Sequence, residues 1–313
     1  LADEIQRLTL EFQPTPALDE VVACSNANHC VAVVGAAGSG KSALMAALAW
    51  PTVTGGTVPA RFVDAIAFLN EATTPQELAR TLTHQLAQSL PGFREAQQSF
   101  LRETLYVEQQ KLGALEKLVV GPLTRLAPAE IRLVVDALDR LATGARGSVM
   151  QALNALANLS FVRLVVTARP DTELPSGASS YALGVAPEER VRQYLARREV
   201  PESRCVEVVE AARGNWLVAR VLADLIFTQP DTAIGTGQRA LEDAYEEMLS
   251  RCDATNDENI GCVLNVLAAS GAGPMLPLQL LCAASDGLGG LGTPAAIRDH
   301  LVRLRGLAVR SSA

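Results

Sequence analysis

Eight consecutive residues, Gly35-Ala36-Ala37-Gly38-Ser39-Gly40-Lys41-Ser42, fit the pattern G-x-x-x-x-G-K-[ST]. Such glycines let a backbone wrap an anion, so that successive N–H groups and the start of the next helix point at a phosphate. Lys41 brings a point charge for β- and γ-phosphates, and the Ser42 hydroxyl is a hard oxygen suited to Mg²⁺. A second group is Leu133-Val134-Val135-Asp136-Ala137-Leu138-Asp139. Asp136 closes a buried strand at the end where α/β sheets bind ligands. There it can hold Mg²⁺ through a water and complete a metal site with Ser42; the alternative is a carboxylate that only caps the following turn. The third group is Thr167-Ala168-Arg169-Pro170. Arg169, kept extended by Pro170, can reach a γ-phosphate and report its presence; the alternative is a surface pair with Asp171 or Glu173.

These residues need particular elements to place them. Cys30–Val34 (CVAVV), Ile131–Val135 (IRLVV) and Phe161–Thr167 (FVRLVVT) are short apolar, β-branched runs, the pattern of strands buried on both faces. Arg61–Asn70 is a fourth strand candidate. Helices are expected from Ser42 to about Ala49, after Thr74 (a cap followed by Pro75 and Glu77), over much of 94–126, and around Ser148–Leu159. Leu78, Leu82, Leu86 and Leu90 draw one apolar stripe on the helix after Thr74. The first 29 residues, with Pro14 and Pro16, are read as a lead-in without regular structure. Strands alternating with helices predict an α/β fold, a parallel sheet covered on both sides. At least one strand lies between the phosphate loop and Asp136, which predicts an inserted central strand.

Beyond about Val185 only helices are expected: Pro187–Arg198, Ser203–Arg213 and Asn215–Phe227, with Gly214 ending the middle one. Gln229–Gly237 reads as a linker. Short helices at about 239–251, 257–269 and 276–284, a Gly-rich loop and a helix Pro294–Leu304 follow. The expected division is an α/β domain over 1–185, a helical domain with linker over 186–237 and a third, helical segment over 238–313.

Composition bounds the possibilities. The chain has 313 residues, 49% hydrophobic and 19% charged, with a net charge of −7, and its length suits two or three domains. An acidic chain lacks the basic field that nucleic acid or anionic membrane surfaces attract. No stretch is apolar enough over ~20 residues to span a bilayer. The six cysteines form no C-x-x-C pair, so reduced thiols in a cytoplasmic protein are expected.

With these motifs in place, the sequence resembles the STAND-class P-loop NTPases, in particular the NACHT branch. GAAGSGKS resembles their Walker A motif, VVDALD their Walker B (hhhhD[GAS]hD-E), and TARP their T-[ST]-R-P sensor. Arg213-Gly214-Asn215-Trp216-Leu217 is similar to the G-N-[FP]-L of their helical domain, and the C-terminal part to their winged helix. The resemblance runs from about residue 12 to 313. It implies ATP or ADP held by Gly35, Ala36, Ala37, Gly38, Ser39, Gly40, Lys41, Ser42 and Ala43, with Trp216 near the adenine or β-phosphate unless it is simply a core aromatic. Mg²⁺ would sit on Ser42 and Asp136, and Asp136, Asp139 and Arg169 would serve catalysis. There are departures. Arg140 replaces the second Walker B acid, and Ala137 stands where most ATPases of this branch place a water-polarising glutamate; both argue against fast hydrolysis. Ala168 replaces a Ser/Thr. His300 does not match the histidine motif of the family's winged helix, and neither it nor His29 and His84 is assigned a role. The start at Leu1, with that motif expected just past residue 313, predicts a piece of a longer protein.

The function this implies is a switch, locked with ADP and self-associating with ATP, in a chain that also carries sensor and effector domains. A rapidly cycling ATPase and a winged-helix DNA-binding regulator are the alternatives. Residues 239–313 hold six arginines, no lysine and nine acidic residues, a net of −3, which argues against the DNA reader.

Overall fold

The buried apolar runs form one sheet. In the computed structural model, which describes residues 1–235, 240, 242–244, 246, 257–269 and 278–303, the strands are β1 (Cys30–Val34), β2 (Ala65–Phe68), β3 (Ile131–Asp136), β4 (Val162–Ala168) and β5 (Ser179–Ala182). Their order is β2-β3-β4-β1-β5, with every pair parallel. Strand β4 therefore lies between β1, which feeds the glycine-rich loop, and β3, which ends on Asp136.

Each strand alternates sides, and both sides are covered. Ala32, Leu133, Val135, Leu164 and Val166 pack into one core with Leu78, Leu82, Leu86, Phe93, Leu123 and Leu153. Val31, Val33, Ile66, Val134 and Val165 pack into the other with Ile5, Leu18, Val21, Leu44 and Leu48. The covering helices are α1 (Ala2–Thr9), α2 (Pro16–Ala27), α3 (Lys41–Ala49), α4 (Pro75–Ser89), α5 (Phe93–Glu103), α6 (Tyr106–Gln109), α7 (Gly121–Leu126) and α8 (Thr143–Ala157). Helix α4 begins with a full capping box: the Glu77 N–H donates to the Thr74 hydroxyl, and the Thr74 N–H donates back to the Glu77 carboxylate.

Several expectations are corrected here. The first 29 residues are mostly helical, since Pro16 occupies the first turn of α2, where a missing N–H costs nothing. The second strand is shorter than Arg61–Asn70, because Arg61 is left-handed (φ 57°) and only Ala65–Phe68 ladder with β3. The region 94–126 is broken into α5, the short α6 and a π-helical turn, Glu116–Val120, that runs into α7. Strand β5 was not anticipated; its residues are largely exposed, so no apolar run marks it.

The chain divides into two compact units, Leu1–Ala37 with Lys41–Gly184, and Gly38–Gly40 with Val185–Ala313. In the second, α9 (Glu188–Arg197), α10 (Glu202–Ala212) and α11 (Trp216–Thr228) share a core of Val191, Tyr194, Leu195, Val208, Leu222 and Ile226. Helix α10 ends at Ala212 through two left-handed residues, Arg213 (φ 46°) and Gly214 (φ 76°). Helices Glu258–Ala269, Leu278–Gly287 and Pro294–Arg303 follow, close to the expected segments. Most of the expected 239–251 helix and the residues after 303 lie outside the described residues, as do Thr236 and Gly237 of the expected linker. Among the described residues past 237 the regular elements are helices.

Candidate functional site

The glycine-rich loop leaves β1 at Gly35, whose N–H donates to the Ala168 carbonyl at the end of β4 (3.2 Å). Gly38 (φ 76°) and Gly40 (φ 93°) adopt backbone conformations that a side chain would strain, and α3 starts at Lys41. The Lys41 ammonium bends back along the loop and donates to the carbonyls of Gly35 (2.7 Å) and Ala36 (2.8 Å). Burial pulls its pKa below the usual lysine range, while the Asp139 carboxylate, ahead of Asp136, acts to hold it up.

Asp136 closes β3 and is 3% exposed. Burial raises its carboxyl pKa; hydrogen bonds from Thr167 and Ser42 and the charges of Lys41 and Arg140 oppose the rise. The Thr167 hydroxyl donates to Asp136 Oδ1 (2.5 Å) and accepts the N–H of Ala137 (2.7 Å). Asp136 is thus a buried acceptor shared by the hydroxyls of Ser42 and Thr167, rather than a cap of the next turn. Ala137, although not glycine, is left-handed (φ 65°, ψ 54°), and this turn opens the short 3₁₀ segment Leu138–Arg140.

That turn carries Asp139 toward the end of β4. Arg169 Nε lies 2.9 Å from Asp139 Oδ2, the arginine side chain 55% exposed and the aspartate 12%. Arg169 therefore has an ion-pair partner, but it is Asp139 and not Asp171 or Glu173. Arg146, at the start of α8, donates to the Leu141 carbonyl (3.2 Å) and steadies the segment after Asp139. Arg140 is exposed.

Lys41, Ser42, Asp136, Asp139 and Arg169 are thus gathered at the C-terminal ends of β1, β3 and β4. Thr167 belongs with them and was not singled out among the candidates. Its signal was present: a hydroxyl in the otherwise apolar run LVVTA, buried completely. Trp216, at the first turn of α11, packs edge-on against Tyr194 of α9 (centroids 5.8 Å apart, planes at 82°), and Asn215 caps α11 by accepting from the N–H groups of Leu217 (3.0 Å) and Val218 (3.2 Å). No cluster of three or more His, Cys, Asp or Glu side chains suited to a metal occurs among the described residues. A cation here would draw its ligands from a hydroxyl, a carboxylate, water and phosphate, the set that suits Mg²⁺.

Comparison with known proteins gives a family and a fold. The family described as Nephrocystin 3, N-terminal, matches residues 12–169. Among solved structures the chain is similar to a signal transduction ATPase with numerous domains (STAND) that has a tetratricopeptide repeat sensor, from Pyrococcus horikoshii. The TM-score is 0.58 at 14% identity, covering 94% of this chain and 39% of that one. It is also similar to a Walker-type ATPase of Pyrococcus abyssi (TM-score 0.45, 15% identity, 91% and 95% covered) and to the Drosophila ORC bound to DNA (0.45, 16%, 96% and 83%). No curated protein matches the sequence. The first likeness shows the fold, that of a P-loop NTPase, and the chain spans about two fifths of that protein's length. No described helix is long and apolar enough to cross a membrane.

Proposed function

From a chain that belongs to the Nephrocystin 3 N-terminal family, we infer a nucleotide-dependent switch whose α/β part, residues 1–185, binds an adenine nucleotide with Mg²⁺. The observation that carries this reading is the joint at the sheet's C-terminal edge. The hydroxyl of Ser42, the last residue of the phosphate pattern, bonds to the carboxylate of Asp136, next to an ammonium that lies along the loop's own carbonyls. The left-handed glycines fit a phosphate cradle, because a Cβ there would strain the loop. Gly35 to Ala43 would hold the phosphates, and Ser42 and Asp136 the Mg²⁺. Bound there, the nucleotide supplies a transferable γ-phosphate. Lys41 would offset its charge and Arg169, paired with Asp139, would reach it, while Thr167 keeps Asp136 in place.

With Ala137 and Arg140 where faster enzymes carry carboxylates, hydrolysis is slow and resets the switch. ADP locks the α/β part, the helical domain (186–237) and a winged-helix domain (238–313) together. ATP releases them for self-association in the cytoplasm, in a protein that also carries sensor and effector domains. Near-complete switching needs roughly 5.5 kcal/mol of differential affinity, a demand that charged phosphate contacts can meet. The test is direct. The nucleotide released on denaturing purified protein should be ADP, and Lys41→Ala should abolish tight binding by calorimetry. Particle mass should rise with a non-hydrolysable ATP analogue and not with ADP. Unchanged affinity in Lys41→Ala would refute the site; turnover well above one per second would replace the switch with a cycling enzyme.

A further inference from the structure

Asp139 is placed as an anion between cations. Its carboxylate meets Arg169 Nε at 2.9 Å, and it is the foremost charge acting to keep Lys41 protonated. Lys41 and Arg169 are the two cations that the nucleotide reading directs at the β- and γ-phosphates. The two partners differ in freedom. The aspartate is 12% exposed on a turn fixed by left-handed Ala137 and by the Thr167 hydroxyl, whereas the arginine side chain is 55% exposed.

The geometry points to Asp139 as a built-in stand-in for the terminal phosphate. It holds Arg169 until a nucleoside triphosphate enters, and the γ-phosphate then takes the arginine by exchange. Asp139 thereby sets the preference of the site for triphosphate over diphosphate. A diphosphate lacks the group that competes for Arg169, so the pair stays closed over it. A triphosphate must first displace the carboxylate, and its contact with Arg169 is discounted by what the pair was worth. Half-exposed ion pairs are weak, so the exchange is readily reversible and the discount small.

This inference rests on the nucleotide-site reading, and one experiment separates the two. Dissociation constants for Mg²⁺ with ADP, and with a non-hydrolysable ATP analogue, are measured by titration calorimetry on the wild type, D139N, R169Q and the double variant. Each ratio is taken within one protein, so a general loss of folding cancels. D139N should raise analogue affinity relative to ADP about two- to fivefold, that is about 0.4–1 kcal/mol. R169Q should lower the ratio, and D139N added to R169Q should change it no further. An unchanged ratio in D139N overturns the inference. So does an equal gain in the R169Q background, because plain charge repulsion between Asp139 and the γ-phosphate would then explain it. A wild type that binds neither nucleotide overturns the underlying site reading and the inference with it.

Discussion

Replacing Thr167 by valine isolates the hydroxyl that joins β3 to β4. Valine keeps the β-branched shape, which a strand accepts, so the change is chemical rather than steric. Two hydrogen bonds go. The one to the Asp136 carboxylate (2.5 Å) is of the charged kind, worth about 1.5–3 kcal/mol net. The other leaves the Ala137 N–H (2.7 Å to Thr167) without its acceptor, a further cost of about 1–3 kcal/mol. Asp136 keeps its bond to Ser42 and can take up a proton, so the expected loss is nearer the lower sum, about 3 kcal/mol. With a urea m-value of about 3 kcal/mol/M, the unfolding midpoint should fall by about 1 M. Thr167→Ser keeps the hydroxyl and removes one methyl, and should cost about 1 kcal/mol. Urea unfolding of the three proteins, followed by circular dichroism, decides the matter. If valine costs less than about 0.5 kcal/mol, or serine as much as valine, the hydroxyl is not what holds Asp136 and the turn together.

Three further outcomes are expected. Gly214→Ala should destabilise the helical part by more than about 2 kcal/mol, because the residue is left-handed (φ 76°) and a new Cβ would meet the Ala186 carbonyl oxygen at 2.6 Å; an unchanged thermal midpoint would contradict this. Asn215→Ala should cost about 1 kcal/mol through loss of the α11 cap, whereas Asn215→Asp should cost much less; denaturant midpoints separate them. Burial pushes the Cys30 thiol up to about 11 from 9.0, so the folded state favours the neutral thiol. That contribution is complete below pH 9 and is lost as pH rises through 11, on the order of 2 kcal/mol. Between pH 8 and 11.5 the wild type should lose that much more stability than Cys30→Ala; parallel profiles would refute it.

The central strands were readable because burial on both faces demands unbroken apolar runs, and CVAVV and LVVD supply them. The capping box at Thr74 was readable because its chemistry is local. Strand β5 was not: Ser179–Ala182 lies at the sheet edge, largely exposed, where nothing demands apolar residues. Helix α2 was obscured by reading Pro16 as a breaker when it stands in a first turn. The Arg169–Asp139 pair joins residues thirty apart in the chain, brought together by the β3–β4 pairing, so only nearer carboxylates suggested themselves. The hydroxyl of Thr167 stands out in the apolar run LVVTA, but its partners, Asp136 and the Ala137 N–H, lie on another strand and its turn, so the sequence alone does not give its role.

Ala137 pursues a preference opposed to its own. An alanine in the left-handed region costs roughly 1–2 kcal/mol, and the turn persists because Thr167 holds its N–H and β3 fixes its other side. Such a turn is stiff, so Asp139 has little freedom to follow its partner. The step that exchanges the pair is then a rotation of the arginine side chain, which is a matter of picoseconds to nanoseconds at an exposed position. Sensing at this edge would be limited by how fast a ligand arrives rather than by how fast the backbone rearranges, and any slow phase would originate elsewhere in the molecule.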